Sequence, residues 1–393
     1  MDLARIKAIA VLGYNFNLHM LRSLVRRSKQ DQAELFLSYF REDRLANLSE
    51  KAHRESLEFE DCVACGLCPA SCRVMEASSG RFLGPMHIAA AASRSYPDLF
   101  HDADSIFLCA VCGQCEPACP EGVPVARMAA SMRAMVWKVA PEVIPPAYQE
   151  ARRNLESYGN IYGQPPGLES KSTGTDTALV LGPFLKRRPD TCGRIIEVLE
   201  KLGYEPALVN EGSIGGVAES IGLSPDTGWT AGLENFKTVI VADPDVWLAL
   251  NKHELLEKQE VMFITTAVQE KLAGLDLGKV VDGPAALHDP AALGRYSGVA
   301  AEFRGLLESL GVELAPLREE LDQAPPLGWE GGLDLVSPET ARNLVQFRLS
   351  EASRAGAATF ITPCYQDAAL SREHGGDQVP VRYLMDILHE ALL

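Results

Sequence analysis

Two dense runs of cysteine limit what this chain can fold into more than any other feature. The first reads Cys62-Val-Ala-Cys65-Gly-Leu-Cys68-Pro-Ala-Ser-Cys72, and the second Cys109-Ala-Val-Cys112-Gly-Gln-Cys115-Glu-Pro-Ala-Cys119, followed by Pro120. Both have the spacing Cys-x2-Cys-x2-Cys-x3-Cys. Three thiolates two residues apart wrap a tight loop around one 4Fe–4S cubane and hold three of its irons. The fourth iron needs a ligand from elsewhere, and at this spacing the cysteine after the three-residue gap goes to the other cluster. The spacing thus predicts one cluster on Cys62, Cys65, Cys68 and Cys119, and a second on Cys109, Cys112, Cys115 and Cys72. Such crossing would staple the two loops together and keep the clusters close, which suits successive one-electron transfers.

The same spacing occurs in bacterial two-cluster ferredoxins. Structural zinc also uses Cys-x2-Cys pairs, but a tetrahedral four-ligand site has no use for three cysteines in one run, repeated with the same fourth position. Disulfides are not expected, because eight of the ten cysteines fall in these runs. The apolar run at residues 8–12 is too short for a secretory signal and no small-residue cleavage pattern follows it. No stretch reaches the ~18 apolar residues needed to span a bilayer. A reducing cytoplasmic setting is therefore expected. The net charge is −16 over 393 residues, which argues against nucleic acid as a partner, since phosphate binding needs clustered Lys and Arg.

Along the chain, residues 2–60 read as helical, with Arg22, Arg26, Arg27 and Lys29 forming a basic cluster in an acidic protein. That stretch is expected to be a solvated helix face packed on the cluster domain. The sharper alternative is a docking helix for a partner or for anionic lipid headgroups. Residues 85–92 and 125–139 read as further helices. Prolines and glycines accumulate at 141–175, which reads as a linker.

Beyond it, short apolar runs at 177–181, 206–209, 238–242, 261–265, 285–288, 313–315 and 359–362 alternate with helices at 191–202, 293–310 and 338–355. That alternation implies βαβ units and mainly parallel sheets. Leu202-Gly-Tyr-Glu-Pro206 echoes Leu310-Gly-Val-Glu-Leu314, so the region reads as a duplication. The expected organisation is a helical, ferredoxin-like dicluster domain at 1–140, a linker at 141–175, and two α/β halves at 176–278 and 279–393.

Two cubane motifs followed by a duplicated α/β region resemble one family. It holds the C and B components of heterodisulfide reductase and their fused form, and the iron–sulfur subunits of glycolate oxidase and anaerobic glycerol-3-phosphate dehydrogenase. In that family each α/β half is a cysteine-rich domain with a Cys-Cys-Gly signature. His288-Asp-Pro-Ala-Ala-Leu-Gly-Arg295 is similar to the family's His-Asp-Pro-Cys-x-Leu-Gly-Arg segment, and Thr362-Pro-Cys364 to a later Pro-Cys segment.

The departures are extensive. The cysteine after His-Asp-Pro is Ala291, and Cys-Cys-Gly appears as Leu327-Gly-Trp329 and Ile214-Gly-Gly216. The Gly-Cys of the first half is Gly182-Pro183, and its Pro-x-Cys is Pro244-Asp-Val246. Cys364 alone survives, and one cysteine cannot hold the noncubane cluster that some relatives carry there. The α/β region is thus expected to have lost its metal chemistry, with degenerate cysteine-rich domains remaining. Cys364 and Cys192 are expected to pack as small apolar residues, and His288-Asp289 to shape a strand-end turn. The glycines at 212–222 follow no strand and make a weak nucleotide signal.

The resemblance implies an electron-transfer subunit of an oxidoreductase complex, carrying two 4Fe–4S clusters between a flavoprotein partner and a further redox subunit. Peripheral contact with a membrane or a quinone-linked partner would come through that complex. Two alternatives stay open. One is a catalytic reductase using Cys364 and His288; the other is a non-redox assembly protein with structural clusters.

Overall fold

Four-residue apolar runs build the strands. Thr177-Ala-Leu-Val180 (β1), Thr238-Val-Ile-Val241 (β3), and Thr359-Phe-Ile-Thr362 (β6) are buried almost throughout. Parallel strands covered on both faces have this continuous apolar character. The computed structural model describes residues 3–25, 34–36, 38–39, 57–94, 103–163, 174–209, 216–224, 228–252, 256, 258–272, 275 and 277–393.

Strands β1, β2 (Pro206–Leu208), β3 and β4 (Glu260–Phe263) form one parallel sheet in the order β2-β1-β3-β4. Strands β5 (Ala285–Leu287), β6 and β7 (Val381–Tyr383) form a second, in the order β5-β6-β7. The expected strand at 313–315 contributes a single parallel bridge, Leu314 to Ala285. Strand β7 was not legible in advance: its three residues follow Pro380 and offer no alternation to read.

Two compact units divide the chain, Met1–Asn47 and Leu48–Leu393. In the first, helix α1 (Leu3–Val25) exposes Leu3, Ile6, Ile9, Val11, Leu12, Tyr14 and Phe16. Arg26, Arg27 and Lys29 of the basic cluster lie outside the described residues. No helix among the described residues is long and apolar enough to cross a membrane.

In the second unit, the cysteine runs sit among helices α2 (Pro85–Arg94), α3 (Val125–Val139) and α4 (Pro146–Tyr158). Helix α4 corrects the linker expected at 141–175. Its prolines stand at the first turn, where the missing N–H breaks no bond. Tyr148 and Ala151 bury one face, and Gly159 closes the helix at φ +67°. Residues 164–173 lie outside the described residues. The 293–310 helix is two: Ala291–Gly294 and α8 (Ala300–Ser309), separated where Gly298 takes φ +71°.

Helices α5 (Pro189–Lys201), α6 (Pro244–Lys252), α7 (Ile264–Lys271), α9 (Pro338–Arg354), α10 (Tyr365–His374) and α11 (Leu384–Leu392) cover the sheets. Helix α11 of the second sheet packs on α5 of the first, and α8 on α7. One apolar core therefore runs through both sheets. The core around the cysteine runs likewise takes in Val217, Ile221, Trp329, Leu333 and Leu344 from the α/β region. The cysteine loops are held against that region, not carried as a detached module.

Candidate iron–sulfur site

The two cysteine loops repeat one backbone shape. Ala64 and Gly66 in the first take φ +55° and +81°, and Val111 and Gly113 in the second take +53° and +71°. Positive φ at a β-branched residue such as Val111 is a genuine outlier, held only where the surroundings over-determine it. Alternating hands turn successive N–H groups to the same side, making an anion-binding nest. Val111 N donates to Cys109 Sγ at 3.3 Å, and Val123 N to Cys119 Sγ at 3.4 Å.

The loops sort the eight cysteines into two groups. Cys62, Cys65, Cys68 and Cys119 line one solvent-open space of about 370 Å3, together with Met86, Ala89 and Val125. Burial first, then the neighbouring Cys62, Cys119 and Cys65, push the Cys68 thiol up to about 11. In the second group burial dominates and pushes Cys72 up to about 12, with Cys109 adding to it. Cys112 is raised by burial and then by Cys72 and Cys109; Cys115 is raised by burial and then by Cys112, Cys109 and Cys72. Cys119 thus stands with the three cysteines of the other run, and so does Cys72. Cys68 also raises Cys72, so the groups adjoin.

Four thiols crowded this way do not ionise together without a cation among them. Among the described residues, no three Cys, His, Asp or Glu side chains converge as a single ion would require; the cysteines of the first group line a common space instead. Thiols around a space, with amides turned towards sulfur, fit a cubane.

Two arginines complete the second group. Arg133 is fully buried on α3, and all five of its N–H groups donate to carbonyls: Ile106 twice, Cys109 at 2.5 Å, Ser220 at 2.8 Å and Gly331 at 3.1 Å. It ties the second loop to both α/β halves. Arg295, the last residue of the His-Asp-Pro segment, donates to the carbonyls of Cys112, Asp322 and Ala324. Neither arginine was singled out from the sequence. For Arg133 a signal existed: helical spacing puts it on the face of Val125, Ala129 and Val136, all buried.

In the α/β region the strand ends meet around buried acids. Asp243, Asp245, Gln366, Tyr162 and Pro183 line a second space of about 350 Å3 at the carboxyl ends of both sheets, the usual place for ligands in open α/β sheets. Burial and Asp243 push the Asp245 carboxyl well up, and burial and Glu330 do the same to Asp367.

His288 and Asp289 do not work as a pair. Asp289 is held by Arg304 and by Leu321 N at 2.8 Å, while His288 stacks on Phe360 and has Asp367 at 3.6 Å. Burial holds the His288 imidazole well below its usual range. Cys364 has no exposed surface, and burial pushes its thiol well up, opposite to a reactive thiol. Cys192 is buried and donates to Leu185 O at 3.0 Å. Ala291 opens a short helix, and Trp329 donates to Asp367 at 2.6 Å. Ile214 and the glycines at 212–215 lie outside the described residues.

Residues 58–123 match the family described as the 4Fe-4S dicluster domain. The match covers both cysteine runs, from just before Cys62 to just past Cys119. No curated protein matches the chain. The class that motif, geometry and match define is an iron–sulfur protein, with two 4Fe–4S clusters to its dicluster domain and an electron-transfer role.

Proposed function

We propose that the chain is the electron-transfer subunit of a larger oxidoreductase complex, working between a flavoprotein partner and a further redox subunit. The observation that carries this is the sorting of eight thiols into two adjoining groups, each completed by the last cysteine of the other run. The outer cluster would be held by Cys62, Cys65, Cys68 and Cys119, and the inner one by Cys109, Cys112, Cys115 and Cys72. When bound, the cubanes supply reversible one-electron chemistry.

The chain's own residues arrange the rest. Cys65 is exposed between exposed Val63 and Leu67, which gives a partner an apolar surface at the outer group. The inner loop is clamped from behind by Arg133, by Gln114 on Gln323 O at 3.1 Å, and by Arg73 on Glu319 at 2.5 Å.

The α/β region reads as two degenerate cysteine-rich halves of the heterodisulfide reductase and glycolate oxidase type, kept as a scaffold. The strand order supports the duplication. The first sheet runs β2-β1-β3-β4; the second, with the Leu314 bridge in the place of β2, runs in the matching order. Burial of Cys364 and His288 weighs against the catalytic alternative.

Anaerobic electron paramagnetic resonance titration of the reduced full chain tests the proposal. Two interacting 4Fe–4S centres are expected; one centre, or centres that no reductant reaches, would overturn it.

A further inference from the structure

We infer that Arg133 and Arg295 raise the reduction potential of the inner centre, and of that centre alone. The inference rests on the electron-transfer reading above. Arg133 is buried with no carboxylate partner among the described residues; five hydrogen bonds to four carbonyl oxygens satisfy its donors but leave its charge. Phe107 and Tyr148 seat the guanidinium at 5.8 and 5.6 Å from their ring centres. Arg295 repeats the pattern, donating to three carbonyls; no acid among the described residues reaches ion-pair distance of it, and Glu116 and Glu330 feel its charge from further off.

A buried charge without a counter-ion is strongly disfavoured. Each of these two donates to the carbonyl of a cysteine in the inner group, Cys109 and Cys112. A thiolate-held cluster there is the anion that offsets them. The inner loop carries one acid of its own, Glu116, which acts on Cys109 and Cys115 against the two arginines; acids also flank the outer loop. Glu60 and Asp61 directly precede Cys62, and Glu121 lines the open space.

Adding an electron adds negative charge, so nearby cations favour the reduced form and nearby anions oppose it. Burial by itself works against reduction of the inner centre. The two guanidinium charges counter that burial, and an electron arriving beside exposed Cys65 is drawn inward.

The test is an anaerobic redox titration of the full chain, followed by electron paramagnetic resonance, on wild type, R133K, R133M and R295M. R133M and R295M should each lower the midpoint of the same centre by about tenfold in its reduction equilibrium, about 59 mV for one electron. The other centre should not move, and R133K should stay near wild type because it keeps the charge. A purely packing role would not move a midpoint in this charge-dependent way. The inference is overturned if both centres are present and neither midpoint moves, if both move equally, or if R133K shifts as far as R133M. Should R133M fail to assemble, half-buried Arg295 decides the matter: an unmoved midpoint in R295M overturns the inference. Absence of two reducible centres in the wild type would instead overturn the electron-transfer reading.

Discussion

Gly331 is where the α/β region presses on the inner cysteine loop, and Gly331→Ala measures that contact. The residue sits at φ +62°, and a Cβ there would lie 2.5 Å from Ala110 O, 2.7 Å from Ala110 C and 3.1 Å from Cys109 O. All three are main-chain atoms of the loop, so no flexible side chain can swing aside. Left-handed backbone costs a non-glycine residue about 1–2 kcal/mol, and forcing a packed contact apart adds about 1–3 kcal/mol. The expected loss is therefore about 2–5 kcal/mol. Gly159 is the control. It has φ +67° with nothing within 4 Å of an added Cβ, so Gly159→Ala should lose only the backbone share of about 1–2 kcal/mol. The assay is anaerobic thermal unfolding by circular dichroism, with iron counted after mild heating. Gly331→Ala should melt about 1–4 °C below Gly159→Ala, at ~1 °C per kcal/mol for a chain of 393 residues, and lose iron first. Equal melting of the two variants would refute the reasoning that the loop is braced at this point.

Three further outcomes follow from the same structure. Cys119→Ser should damage the same centre as Cys65→Ser, and Cys72→Ser the same centre as Cys112→Ser, read by electron paramagnetic resonance; damage confined to each cysteine's own run would refute the crossing. Burial, with Glu330 adding to it, pushes the Asp334 carboxyl up to about 7. The folded state then keeps a proton that the unfolded state has lost, so this contribution is full below about pH 4 and falls away as pH rises towards 7, with a ceiling of about 4 kcal/mol. Asp334→Asn should flatten the loss of stability measured by denaturant titration between pH 5 and 8, and an unchanged pH profile would count against it. Cys364→Ala should leave iron content and both centres intact while lowering stability by about 1–2 kcal/mol; loss of either centre would place Cys364 in the redox site after all.

The eight cysteines were legible because ligand spacing is a local property: a loop that grips three irons is written within seven residues. The same spacing implies the grouping in which Cys119 stands with the first run and Cys72 with the second. Buried parallel strands were legible as runs such as Thr238–Val241, since both faces are covered and no polar alternation interrupts them. Tertiary decisions were not. Val111 is a poor residue for positive φ by any local preference, and only the loop around it requires that shape. Arg133 sits in a helix of Ala and Met where a charge normally turns outward, and its four carbonyl partners come from segments as distant as Ser220 and Gly331. Prolines 145 and 146 suggested a linker because proline breaks helices everywhere except at their start, where these stand. The acids at Asp245, Glu330 and Asp367 are far apart in the chain, so nothing local marks their meeting.

The central claim is that eight thiols in two crossed groups hold two cubanes. Metal and sulfide analysis of the anaerobically prepared full chain, with Mössbauer spectroscopy on the same sample, tests it most directly. The account predicts about eight iron and eight sulfide per chain, in two 4Fe–4S centres. Zinc in their place, or about four iron in one centre, would contradict it.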